Sequence, residues 1–250
     1  MADLYGAPEE VEGVVRDAER SVARAGRPLE EVRLGAPCAP ATILTIGENY
    51  PLPNGSRGAR RGPPLVFAKL ASAVIGPDDD IPWDPVAYPQ LDYEAELAIV
   101  IGRTMDRVAV EDALHYVFGY TCVNDAASRD QRFAGDQYIL GKSGPGFCPL
   151  GPWIVPVAEV PDPQRLRLGS RVNGEIRQDA STSEMRWTVA EILAEVSRFV
   201  TLRPGDVVTT GTPHGTGESY DPPLFLQLGD EVVVWVEAVG ELRNRVTLRL

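Results

Sequence analysis

Apolar residues recur along this chain with two different periods. Val11, Val14, Val15, Ala18 and Val22 fall at helical spacing over residues 8–25, and Gly26 follows as a stop signal. This predicts one amphipathic helix within an N-terminal appendage of residues 1–40, followed by a main domain over residues 41–250. Downstream the period shortens. Residues 42–46, 65–70, 93–101, 120–123, 153–156, 167–173, 206–210 and 231–239 are short, apolar or alternating, rich in β-branched residues, and read as strands. Helical patterns interrupt them only near residues 110–118 and 188–199. Turn signals such as Asn173-Gly174, Pro204-Gly205-Asp206 and Leu228-Gly229-Asp230 punctuate the rest, and no internal repeat is present. The fold class expected is α+β and β-rich, not an alternating parallel α/β fold.

One segment fits neither period. Residues 47–64 carry Pro51, Pro53, Asn54-Gly55, Gly58 and Gly62-Pro63-Pro64 together with Arg57, Arg60 and Arg61. Connections of this length are uncommon, and the segment reads either as a charged lid or as a solvated loop.

Within the run over residues 93–101 the strand period of two places Glu94, Glu96, Ala98 and Val100 on one face. Burying two carboxylates on one face is costly unless something positive neutralises them, and no Lys or Arg lies between Glu94 and Gly102. If the run that ends at Asp125 is a neighbouring strand, three carboxylates converge, and oxygen-only ligands hold a hard cation, Mg²⁺ or Mn²⁺. The alternative is a half-exposed strand whose polar face carries two glutamates. Zinc is disfavoured, because Cys38, Cys122 and Cys148 form no ligand spacing and only two histidines, His115 and His214, occur.

Composition narrows the partners. Among 250 residues, 36 acidic against 24 basic side chains give a formal charge of −12, which disfavours nucleic acid and anionic membrane. Three thiols without pairing, no basic-then-apolar leader and no run of spanning length lead to the expectation of a soluble, cytoplasmic protein.

Familiar motifs fail on spacing. The run ending Gly141-Lys142-Ser143 has Asp136 where a phosphate-binding loop requires glycine, and Pro145 stands where a serine-hydrolase elbow requires glycine. Lys142 is a candidate ligand for a substrate or enolate oxygen, or else a surface lysine. Arg129 would share Asp125's side of the chain if the backbone turned helical there, and could receive a carboxylate; otherwise it is a surface arginine. His115 falls within an apolar helical rhythm and reads as structural, whereas His214, in the Gly-rich run from Gly211 to Gly217, is the better functional candidate of the two.

Several segments, taken in order, resemble the fumarylacetoacetate hydrolase superfamily, in the catalytic-domain type shared by acylpyruvate hydrolases, oxaloacetate tautomerases and 2-hydroxyhepta-2,4-diene-1,7-dioate isomerases. They are Leu65-Val66-Phe67-Ala68-Lys69, the stretch from Leu91 to Leu97, the stretch from Gly119 to Asp130, Leu140-Gly141-Lys142-Ser143, and the stretches over 147–153, 172–178, 202–206 and 210–213. The resemblance implies a mixed β-sandwich roll, a homodimer, residues 41–250 as the catalytic domain, and Glu94, Glu96 and Asp125 as ligands of Mg²⁺ or Mn²⁺. It implies that Lys142 and Arg129 act on the substrate or its developing enolate. Thr212 and Tyr50 are implied as substrate contacts, as is Arg132, which stands where the family often has Gln. Hydrolytic members carry a His and a Glu in the lid after Asn49-Tyr50; here Pro53 and Ser56 occupy those positions. A general base within reach is worth ~10²- to 10⁴-fold, so the expected function is metal-dependent chemistry on a 2-oxo acid or β-dicarbonyl substrate through an enolate: tautomerisation, isomerisation, decarboxylation or another lyase step. The alternatives are a carbon–carbon bond hydrolase and a non-catalytic metal- or ligand-binding protein.

Overall fold

The computed structural model describes residues 26–51, 62–132 and 137–249, and for Gln131 and Arg132 the backbone only. The N-terminal helical pattern, Pro53, Ser56, the arginines at 57, 60 and 61 and the side chain of Arg132 lie outside the described residues. Fourteen strands are described. They are β1 (Ile43–Gly47), β2 (Leu65–Lys69), β3 (Val74–Ile75), β4 (Asp80–Trp83), β5 (Leu91–Asp92), β6 (Ala95–Ile101), β7 (Val117–Asn124), β8 (Ala127–Ser128), β9 (Cys148–Pro156), β10 (Arg167–Val172), β11 (Glu175–Ser181), β12 (Val207–Thr209), β13 (Glu231–Val236) and β14 (Gly240–Leu248). The α-helices are α1 (Arg129–Arg132), α2 (Ile139–Lys142) and α3 (Val189–Ser197).

The strands build a seven-stranded sheet in the order β2-β1-β12-β6-β7-β9-β3, a five-stranded sheet in the order β11-β10-β13-β14-β4, and the small ribbon β5-β8. Both large sheets are mixed, with β1 parallel to β12 and β4 parallel to β14 among otherwise mostly antiparallel neighbours. Leu97, Ile99, Tyr120 and Cys122 from one sheet meet Leu168, Val234 and Leu242 from the other in the main core, and α3 adds Ile192, Leu193 and Val196. The β-rich α+β architecture and the layered roll are those expected. A Thr188–Glu191 capping box starts α3, within the helical pattern near residues 188–199.

Three local differences have physical causes. The predicted strand over 93–101 is shorter than expected: β6 begins only at Ala95, and a break at Tyr93 and Glu94 separates it from the two-residue β5. Asp92 Oδ1 takes the Tyr93 N–H and Asn124 Oδ1 takes the Glu94 N–H, so side chains replace the ladder at this break. The predicted helix near 110–118 is a 3₁₀ segment, Val110–Tyr116, that passes directly into β7. The charged, alternating β14 and the polar β11 escaped the hydrophobic pattern because each is made a strand by its neighbours, β13 and β10 respectively. Among the described residues no helix is long and apolar enough to cross a membrane.

Candidate active site

The register of the central β6–β7 pair, Ala95 opposite Asn124 and Glu96 opposite Val123, sets Glu94 against Asp125 one step further out. A backbone bond from Asp125 N–H to the Glu94 carbonyl, 2.9 Å, fixes that step. Glu94, Glu96 and Asp125 are all buried, and each offers an oxygen within 4.8 Å of the others. Glu94 lies just outside β6, yet its carboxylate still joins that of Glu96.

The neutralising charges come from other elements. From α2, Lys142 Nζ donates to Glu94 Oε2 at 2.7 Å and to Asp125 Oδ2 at 2.8 Å. From the end of β2, Lys69 Nζ donates to Asp125 Oδ1 at 2.6 Å and to the Ala126 carbonyl at 2.9 Å. Arg129 donates through Nε to Asp92 Oδ2 at 2.8 Å and through Nη1 to Glu94 Oε1. The expectation that Mg²⁺ or Mn²⁺ supplies the charge offsetting Glu94 and Glu96 is thereby corrected in part: long-range basic residues supply some of it. Arg129 also arrives by a different route than expected, since β8 intervenes after Asp125 and the helix begins only at Arg129 itself.

Glu96 remains apart. Its Oε2 accepts the Gly211 N–H at 2.8 Å, but among the described residues it has no ion pair within 4.0 Å. Burial, then the charges of Asp125 and Glu94, hold its carboxyl well above the ordinary carboxylate range, with Lys142 opposing. Burial also raises Asp92, against the pull of Arg129. Burial alone would lower Lys142, but Asp125 and Glu94 outweigh it and hold the ammonium above its usual value. The donor set fits a hard divalent cation: three buried carboxylates, one of them without a cationic partner among the described residues, and no sulfur or imidazole among them.

The loop after β12 completes the surroundings. Gly211 adopts φ +87°, and a Cβ there would approach Asn49 Cβ to 2.8 Å and the Ile46 carbonyl to 2.9 Å. Gly211→Ala should therefore cost about 1–3 kcal/mol of backbone strain and weaken Mn²⁺ binding by moving the N–H that holds Glu96; chemical denaturation and calorimetry would register both. Thr212 donates to the Ala95 carbonyl at 3.1 Å and accepts from Gln178 Nε2 at 2.8 Å, so its hydroxyl is engaged in holding the loop to β6. Gln178 also accepts the Ala95 N–H at 3.0 Å, between the two glutamates. Tyr50 is buried near the end of β1, its hydroxyl without a partner among the described residues, and its acidity is suppressed by burial and by the Glu96 charge. Asn49 anchors that stretch to the Thr210 and Trp187 carbonyls.

Both histidines are exposed. His115 faces Asp112 at 3.8 Å instead of the core, which corrects its structural reading, and His214 sits on the loop surface. Lys69, Asp92 and Gln178 were missed as site residues. A lone lysine closing the apolar run Leu65-Val66-Phe67-Ala68 was the one legible signal; Gln178 had none, because its role depends on the second sheet.

The family model described as fumarylacetoacetate (FAA) hydrolase C-terminal matches residues 42–247. The chain belongs to this family. Among its relatives, oxaloacetate tautomerase YisK of Bacillus subtilis is 40% identical over 223 residues, which are 87% of this chain and 74% of that protein. Among solved structures, the fumarylacetoacetate hydrolase of Exiguobacterium antarcticum matches with a TM-score of 0.86 at 43% identity, covering 91% of this chain and 83% of that one. The maleylpyruvate hydrolase of Sphingobium sp. SYK-6, in complex with manganese(II) and pyruvate, matches with a TM-score of 0.81 at 33% identity, covering 100% and 86%. Family members thus include a tautomerase and hydrolases, and one of them holds a divalent metal.

Proposed function

We propose that this fumarylacetoacetate hydrolase family member, with residues 41–250 as its catalytic domain, is a Mg²⁺- or Mn²⁺-dependent enzyme. Its substrate is a small anionic 2-oxo acid or β-dicarbonyl compound, and its reaction is tautomerisation, isomerisation or decarboxylation. The observation that carries this is the buried Glu94, Glu96 and Asp125 trio set against Lys142 and Arg129, in a chain with Pro53 and Ser56 at the two lid positions where hydrolytic members have a water-activating pair.

Glu94, Glu96 and Asp125 would hold the cation, which would supply Lewis-acid chemistry to the substrate. Lys142 Nζ, kept protonated by Asp125 and Glu94, is a fixed positive charge rather than a base, suited to an oxygen on which negative charge grows. Arg129, oriented by Asp92, presents a guanidinium for a carboxylate. Tyr50 and Arg132 are proposed substrate contacts, and Thr212 a contact for the substrate's carboxylate end.

The test compares keto–enol exchange and decarboxylation of oxaloacetate by chelator-treated enzyme before and after adding Mg²⁺. Metal-stimulated exchange with little carbon–carbon hydrolysis of an acylpyruvate is the expected result; rates unchanged by metal would overturn it. A second reading, carbon–carbon hydrolysis, draws on the similarity to the two hydrolases. Faster acylpyruvate cleavage than enol exchange would establish that reading instead.

A further inference from the structure

Arg129 is surrounded by three carboxylates of unequal standing. Asp92 and Glu94 pair with it in the interior, whereas Glu218 approaches Nη1 at 3.2 Å from a side chain that is 36% exposed. The backbone beneath Glu218 is fixed. Asp92 accepts the Gly217 N–H at 2.6 Å and the Glu218 N–H at 3.0 Å, so the same carboxylate that orients Arg129 also clamps the turn that carries Glu218. Arg129 Nη2 is buried and has no hydrogen-bond partner among the described residues, which leaves a donor at this site for an incoming acceptor.

Charge gives this arrangement a consequence. Among the described side chains, Asp92, Glu94, Glu96, Asp125 and Glu218 are five carboxylates against the three cations Lys69, Arg129 and Lys142. Over these eight groups the excess of two negative charges matches one divalent cation, so with the cation bound they sum to zero with Glu218 in place and to one positive charge without it. We propose that Glu218 is a specificity-determining residue that occupies the outer side of Arg129 and limits the site's affinity for multiply charged anions. A substrate carboxylate engages Arg129 only by displacing Glu218 or by sharing the guanidinium with it, and a dianion is held back more than a monoanion. This rests on the enzyme reading above and deepens it by naming the charge class that the site selects.

The experiment is calorimetric binding of oxalate, a dianion, and oxamate, its near-isosteric monoanion, to Mn²⁺-loaded wild-type and Glu218→Gln proteins. A unit charge a few ångströms away at a partly exposed site is worth about a tenfold change for the dianion at low salt and roughly threefold for the monoanion, both shrinking as salt rises. The expected result is that ratio of gains in Glu218→Gln, with Glu218→Asp staying near wild type. A merely structural role would move both ligands alike. Unchanged or weaker oxalate binding by Glu218→Gln with Mn²⁺ binding intact overturns the role of Glu218 alone; failure of the Mn²⁺-loaded wild type to bind oxalate overturns the enzyme reading with it.

Discussion

Glu96→Gln is expected to abolish most of the stabilisation that Mn²⁺ confers while leaving the metal-free protein as stable as wild type or more so. Glu96 is the cleanest of the three proposed ligands to change, because no cation pairs with it within 4.0 Å among the described residues, whereas Glu94 and Asp125 each satisfy two. Its carboxyl is raised by burial, then by Asp125 and Glu94, which fixes the sign. A group raised in the folded state adds stability below its ordinary value and loses that contribution as pH rises through the folded value. Above that window the metal-free wild type carries the cost of a buried charge beside two others, and the neutral amide does not. Losing a ligand should weaken Mn²⁺ at least about 100-fold, judged against the 10- to 100-fold cost of losing a ligand's supporting partner. At saturating metal a 100-fold loss removes about 2.7 kcal/mol of linked stability, roughly 5–10 °C in Tm for a chain of this size. Thermal unfolding in chelator and in Mn²⁺ checks both halves. A Mn²⁺ shift equal to that of wild type would remove Glu96 from the metal centre.

Lys142→Met should do the opposite to the metal-free protein. Its ammonium donates to Glu94 and Asp125 from a fully buried position, so its removal leaves two carboxylates facing each other with Lys69 and Arg129 as their remaining cationic partners among the described residues. Breaking a buried pair by deleting one partner costs about 3–5 kcal/mol, where a surface lysine would cost within ~0.5 kcal/mol. A bound divalent cation restores positive charge at the same oxygens, so urea unfolding in Mn²⁺ should recover part of that loss. Activity should not recover with it: the proposed stabilisation of developing negative charge is gone, at a cost of about 10²- to 10³-fold in kcat. Stability rescued by metal without rescue of turnover separates the structural role of Lys142 from its chemical one.

The difference between these two variants also shows which parts of the site were legible along the chain. Glu94 and Glu96 stood out because ionisable residues interrupt an apolar, β-patterned run. Asp125 stood out because a second such run ends on it. Asp92 and Gln178 did not, and the position of Lys69 at the end of an apolar run gave no sign of what it pairs with, for a common reason. Each acts through a partner more than 30 positions away, Lys69 on Asp125, Asp92 on Arg129 and Gln178 on Ala95, and no local period encodes such a pairing.

By itself the sequence determined the β-rich class and the approximate position of α3, and it singled out the carboxylate trio, because burial periodicity is a local property. The family resemblance it carries along residues 65–213 added the roles proposed for Lys142 and Arg129. Only the tertiary structure decided that Glu94 sits in a break before β6, that Arg129 is oriented by Asp92, and that Glu218 shares the same guanidinium. It also decided that Glu96 is the one carboxylate of the trio without a cationic partner among the described residues. Those facts depend on strand register and on which distant charges burial brings together; in the interior, where water no longer screens them, such charges must be balanced in space and not along the chain.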